Sequence, residues 1–293
     1  MILKKLFVFL VESNIYISLA AVLLTVQTQI QLGMHPQWHP YLFIVFFATM
    51  LEYNLHRLIT LWARKDILHH EKYAWLRHNI KLFYVLMFVS IVGFFTAVFF
   101  AKKIVLVTLM PLGLLTIFYS IPLYKNKQKL FRLREISVLK IFLIAGVWAV
   151  STIMLPVIQS EIHFNAMDIF LMLIERMLFV FAITIPFDIR DMAGDIKSNL
   201  KTIPIILGEK KSLQVAVFCV LLFFVVSFLH YFNTNLAYTL VALLVSDGTT
   251  IFFLLNENIR KQYYYHYAVL DGTMFLQGLL VIISYYLLVF SFA

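Results

Sequence analysis

Charge is scarce in this chain. Only 13% of its 293 residues are Asp, Glu, Lys or Arg, where a soluble domain has about 25%. With 62% hydrophobic residues and a mean hydropathy of +0.89, the sequence cannot cover its own surface in water. Cysteine is all but missing: Cys219 is the single one and lies in an apolar run, which excludes an intrachain disulfide. No low-complexity tract or linker divides the chain, and the short echo between SDGTT at Asp247 and LDGTM at Asp271 is too brief to make a repeat. One transmembrane domain over residues 1–293 is the expectation. Strict apolar–polar alternation is missing too, which excludes a membrane β-barrel.

What is present is a series of long apolar runs. A span needs about 20 such residues to cross about 30 Å. Candidates lie at 6–32, 40–63, 81–101, 104–120, 138–158, 167–187, 213–232, 235–256 and 267–292, the fourth being the shortest. The expected fold is therefore all-α, a polytopic bundle of about nine transmembrane helices. The N-terminus has Lys4 and Lys5 before an apolar stretch, as a signal peptide has. That stretch resumes after Glu12, Ser13 and Asn14 and runs to Leu32, too long for a cleaved signal, so it reads as a retained first helix.

Basic residues set the orientation. With the N-terminus inside, only Lys102 and Lys103 of the 24 basic residues fall in outside loops, while Arg57 and Arg176 lie within spans. The others cluster in inside segments, which predicts a cytoplasmic N-terminus and a C-terminus on the opposite side. The net charge of +9 is then mostly this topological signal. It calls for no nucleic acid, and leaves some charge for anionic headgroups or a phosphorylated substrate.

The most informative segment is PFDIRDMAGDIKSNLKTIPIILG, residues 186–208. Asp188, Asp191 and Asp195 are spaced i, i+3 and i+7, within about 60° of one another on a helix, with Arg190 directed away. Three carboxylates on one face repel and call for a cation. Hard oxygen ligands of this kind suit Mg²⁺, which often joins carboxylates to substrate phosphates. The bland reading is a solvated acidic helix end, but the cluster interrupts the most basic face of the protein.

This segment resembles the second aspartate-rich motif, DxxDxxxD, of the UbiA-type intramembrane prenyltransferases, the superfamily of para-hydroxybenzoate polyprenyltransferase. Lys201, Thr202, Pro204 and Gly208 match the Lys-Thr-x-Pro and Gly often found after the motif. FYSIPLYK, residues 118–125, is a second and weaker similarity. The resemblance implies nine helices and a transferase. It would bind a prenyl diphosphate through Mg²⁺ held by Asp188, Asp191 and Asp195 and join the prenyl group to a hydrophobic or aromatic acceptor. A greasy tail belongs in the bilayer and its diphosphate at the cytoplasmic surface.

The sequence departs from the family at the first motif, NDxxDxxxD. Asn54 matches the asparagine, but Leu55, Leu58 and Trp62 stand at the acidic positions, and Asp66 is out of register. Arg57, one turn from Asn54, is expected either to bind diphosphate in place of a metal or to pair with an acid on another helix, such as Asp188 or Asp191. Glu52 with His56 reads as a local polar contact. Lys125, Arg134 and Lys140, in and beside the loop KNKQKLFRLREISVLK, are candidate diphosphate contacts besides being positive-inside residues. Asp271 faces the acceptor or caps a helix dipole. Glu12 and Asn14 are expected to line the cavity, Asp247 to have a donor nearby, and Glu175 and Arg176 to make structural contacts.

Two functions compete. The first is a prenyltransferase with an altered first metal site. The second is a member of the same fold that has lost the chemistry and serves as a membrane or assembly protein. A transporter is disfavoured, because the strongest motif lies at a helix end rather than at a broken helix near the midplane. The topology has a direct test: reporters fused after Leu32, Ser160 and Ala293 should read outside, and those after Arg77, Lys129 and Lys261 inside. A C-terminal reporter reading inside would remove the nine-span arrangement.

Overall fold

The computed structural model describes residues 2–63, 74–120, 124–126, 129–131, 139–160, 162–197 and 199–291. Helices α1 (Ile2–Glu12), α2 (Ile15–Gln31), α3 (Pro40–Ala63), α4 (Ala74–His78), α5 (Ile80–Phe100) and α6 (Lys103–Ser120) form the first half. A two-stranded antiparallel hairpin comes next, β1 (Tyr124–Asn126) and β2 (Lys129–Phe131), with Lys125 opposite Leu130. The second half holds α7 (Leu139–Ser160), α8 (Ala166–Lys197), α9 (Ile203–Leu207), α10 (Glu209–Tyr231), α11 (Ala237–Leu255) and α12 (Glu257–Arg260). A π-helical turn, Tyr265–Leu270, then runs into α13 (Asp271–Ser291).

The expected polytopic helical bundle is present. Among the described residues seven helices are long and apolar enough to cross a membrane, or eight if α1 and α2 count as one broken span. The fourth candidate, α6, is a shorter apolar helix. The count of nine is thus approximate.

The first span is not one helix. α1 and α2 meet at a bend of 73°. Asn14 takes the left-handed conformation there, with φ 63°, which ends α1 and leaves its last carbonyls without helical partners. In lipid such groups need internal donors. α3 supplies them: Asn54 Nδ2 donates to Ser13 O at 3.2 Å and Arg57 Nη1 to Glu12 O at 2.8 Å. Asn14 Nδ2 donates in turn to Asn54 Oδ1 at 2.8 Å. The polar residues that interrupt the first run therefore make a joint.

Many hydroxyl side chains elsewhere are answered within their own helices. Ser18, Thr25, Thr28, Ser90, Thr152, Thr184 and Thr250 each donate to the carbonyl four residues back. Apolar contact then sets the packing. Leu24, Tyr41, Trp148, Phe179 and Phe223 share one buried cluster, while α5 turns Phe88, Val92, Phe95 and Phe99 outward. α2 packs on α3, α7 and α13, α8 on α7 and α10, and α11 on α10 and α13. The bundle thus closes from α13 back to α2.

That closure depends on Gly278. A Cβ there would lie 2.7 Å from the Leu23 backbone carbonyl carbon, so α13 and α2 approach backbone to backbone, as small residues permit in membrane bundles. Gly278→Val should lower stability by about 1–3 kcal/mol through overpacking. Gly113→Ala, where a Cβ meets nothing within 4 Å, should leave the melting temperature in detergent unchanged or slightly higher.

Candidate active site

α8 carries the aspartates near its C-terminal end and α7 runs beside it. Lys140, in the first turn of α7, reaches across. Its Nζ lies 2.5 Å from Asp188 Oδ1 and 3.7 Å from Asp195 Oδ2. Asp188 is buried, with 2% of its surface exposed, and its Oδ2 has no hydrogen-bond partner among the described residues. Asp191 is the most open of the three, its side chain 43% exposed.

Arg190 departs from the sequence expectation. Helical spacing directs it away from the aspartates, yet its side chain curls back on Asp191. Nε donates to Oδ1 at 2.8 Å and Nη2 to Oδ2 at 2.9 Å. This forked pair is flanked by rings: the guanidinium carbon lies 5.1 Å from the Phe187 centroid and 5.3 Å from that of Tyr267.

Arg57 approaches from α3. Its partner among acids is Glu12, with Nη1 to Oε2 at 3.1 Å, rather than Asp188 or Asp191. Its guanidinium carbon also lies 5.0 Å from the Tyr267 ring centroid. Asp271, the first residue of α13, is buried and lies within electrostatic reach of both Arg190 and Arg57. Tyr264, just ahead of the π-helical turn, has its phenol pushed above its ordinary value by burial and by the charge of Glu12.

The structure therefore brings Asp188, Asp191, Asp195, Lys140, Asn54, Arg57 and Asp271 to one end of the bundle. Lys125 is placed only by its backbone in the hairpin, and Arg134 lies outside the described residues. Three participants escaped the sequence reading: Glu12 as the acid for Arg57, Arg190 as a member of the cluster, and Tyr267. The first had a signal in its acid-in-span position; the last is one ring among 15 tyrosines and 29 phenylalanines.

The donor set fits Mg²⁺ by its chemistry. It offers hard carboxylate oxygens from one helix face, and one of them, Asp188 Oδ2, is buried without a partner. Lys140 already shows a cation between Asp188 and Asp195. The carboxylates are nonetheless arranged for these protein cations. Among the described residues no three His, Cys, Asp or Glu side chains are gathered closely enough to hold a metal ion.

A second polar layer lies about 20 Å away along α8, thirteen residues at 1.5 Å each. Glu175 and Arg176 make the expected structural contacts. His230 Nδ1 meets Glu175 Oε1 at 2.8 Å, Tyr231 OH donates to Oε2 at 3.3 Å, and Arg176 Nη2 donates to Leu24 O at 3.3 Å. Asp247 differs from expectation: it is buried and neither oxygen has a hydrogen-bond donor among the described residues.

Two solved structures share this architecture. A digeranylgeranylglyceryl phosphate synthase studied in membranes is 18% identical, with a TM-score of 0.55 over 97% of this chain and 99% of that one. The apo form of a UbiA homolog from Aeropyrum pernix K1 is 12% identical, with a TM-score of 0.58 over the same shares. At these identities the likeness is one of fold. Among curated proteins none matches significantly. The sequence itself matches the UbiA prenyltransferase family over residues 76–289, most of its length, and the chain belongs to that family.

Proposed function

We propose that this single-domain protein, residues 1–293, transfers a prenyl group from an isoprenoid diphosphate to a hydrophobic or aromatic acceptor in a Mg²⁺-dependent reaction at the cytoplasmic face of the membrane. The observation that carries this reading is the set of acid–base pairs at one bundle end: Lys140 with Asp188 and Asp195, Arg190 with Asp191, and Arg57 with Glu12. Carboxylates for a metal and cations for phosphate stand together there.

In the reaction the allylic C1–O bond breaks with its electron pair leaving on the diphosphate. An electron pair of the acceptor forms the new bond to C1, and the acceptor gives up a proton to solvent. Mg²⁺ held by Asp188, Asp191 and Asp195 would neutralise the charge that builds on the departing diphosphate. Lys140, Arg190 and Arg57 bind phosphate oxygens in this reading, the two arginines through forked hydrogen bonds. Their partners hold them in place before substrate arrives, so little reorganisation is needed at the moment of bond breaking. Lys125 and Arg134 belong to the same reading as loop cations, and Asp271 to the acceptor side.

One observation favours the competing function. Asn54 and Arg57, at the position of the family's first acidic motif, both support the backbone at the α1–α2 joint. A protein that kept the fold and lost the chemistry would need them there too. Activity separates the two. Purified protein with Mg²⁺, a prenyl diphosphate and candidate aromatic or lipid acceptors should release inorganic diphosphate, and chelation should stop it. Asp191→Asn should cut turnover by about 100-fold or more, while costing about 1 kcal/mol of stability or less at so open a position. No release from any substrate would favour the non-enzymatic function, and full activity in Asp191→Asn would remove the metal assignment.

The Arg57 question has its own test. Arg57→Ala leaves Glu12 buried and unpaired, which should cost about 3–5 kcal/mol. The double variant Glu12→Gln, Arg57→Gln should recover most of that stability. If Arg57 binds phosphate, prenyl-diphosphate affinity in the double variant stays lower, by about tenfold for a loss of about 1.4 kcal/mol. Affinity that recovers together with stability would make Arg57 a purely structural residue.

A further inference from the structure

Tyr267 has no role in the reading so far, yet it has an unusual place. Two guanidiniums from different helices use its ring. Arg57 of α3 lies 5.0 Å from the ring centroid and Arg190 of α8 lies 5.3 Å from it. The two positive charges are therefore at most about 10 Å apart, and like charges at that distance repel in a medium of low dielectric. The negative face of an aromatic ring attracts cations, so the ring offsets part of this repulsion at its source.

The ring is also firmly mounted. It sits on the π-helical turn Tyr265–Leu270, an irregularity often found at functional sites. Tyr265 OH donates to Phe253 O of α11 at 3.2 Å, and His266 Nε2 meets Pro186 O of α8 at 3.2 Å. Tyr16 OH of α2 donates to Ala268 O at 3.4 Å. Phe187 meets the Tyr267 ring edge to face, with centroids 6.3 Å apart. Three helices thus fix the turn on which the ring stands. Arg190 keeps hydrogen-bonding capacity as well: its Nη1 is buried and has no partner among the described residues.

We propose that Tyr267 is a positioning residue whose ring holds Arg57 and Arg190 side by side, so that both guanidiniums grip one diphosphate. The inference rests on the proposed diphosphate site and adds to it the element that brings the two cations together. Neither arginine's own backbone does so, since they come from helices α3 and α8. The surrounding carboxylates answer the arginines one by one, Glu12 for Arg57 and Asp191 for Arg190. Asp271 lies within electrostatic reach of both arginines, and the ring faces both guanidiniums at contact distance.

The test weakens the ring's attraction without changing its shape. Full-length protein carries Phe at position 267, then mono-, di- and trifluorinated phenylalanine, and binding of inorganic diphosphate is measured in Mg²⁺ by calorimetry. Affinity should fall stepwise with fluorination, about five- to tenfold across the series. Tyr267→Trp should bind as wild type, and Tyr267→Leu more weakly than any aromatic variant. A graded response in binding, with the helical signal and detergent melting curve showing each variant folded, is not expected of a ring that only fills space. Equal affinity across the fluorinated series would overturn the role of Tyr267 and leave the diphosphate site standing. Wild-type protein that binds no diphosphate would overturn the site and the inference together.

Discussion

A buried charge in a membrane bundle must be answered by another group of the protein, and Arg57 meets that constraint three times over. Its guanidinium serves the carbonyl and the carboxylate of Glu12 and faces the ring of Tyr267. One side chain thereby joins the bend of the first span, the third helix and the turn that leads into the last helix. The end of the bundle that carries the aspartates is assembled around such pairings. Glu12, Asp188, Asp191 and Asp195 each have a cation beside them, and the three cations arrive from α3, α7 and α8. Four carboxylates, Asp188, Asp191, Asp195 and Glu12, are answered there by three cations, Lys140, Arg190 and Arg57.

The pairings also explain why the carboxylates are not gathered as metal ligands. Lys140 keeps Asp188 and Asp195 compatible, and Arg190 draws Asp191 along the helix. The arrangement results from repulsion among three acids on one face, relieved by the nearest protein cations.

The spans and the aspartate face were legible because they depend on local periodicity. Apolar length gives a helix, and spacing of three and four residues gives a face. Lys140 was named from the sequence as a loop cation for diphosphate, but its pairing with Asp188 and Asp195 was not legible, because it joins two different helices. Nor was the acid for Arg57. Glu12 is 45 positions away, and the sequence pointed instead to Asp188 or Asp191. The bend at Asn14 was half legible: the polar interruption showed, but its angle depends on a left-handed residue and on donors from α3. Tyr267 was hidden because rings are everywhere in this chain and periodicity does not separate a ring facing lipid from a ring facing arginine. Asp247 was misjudged because burial in a span suggests a donor, and none of the described neighbours supplies one.

The contact of Gly278 with Leu23 has a consequence for how the protein is made. α2 emerges among the first helices and α13 last, so the face of α2 that ends against α13 lies uncovered through most of synthesis. Thr25 and Thr28 have their hydroxyl partners within α2 itself, whereas Gln31 depends on Tyr231 of α10. The bundle is thus a ring that shuts with its final piece. The α1–α2 joint, secured early by α3, keeps the first helix at its station until the last one arrives.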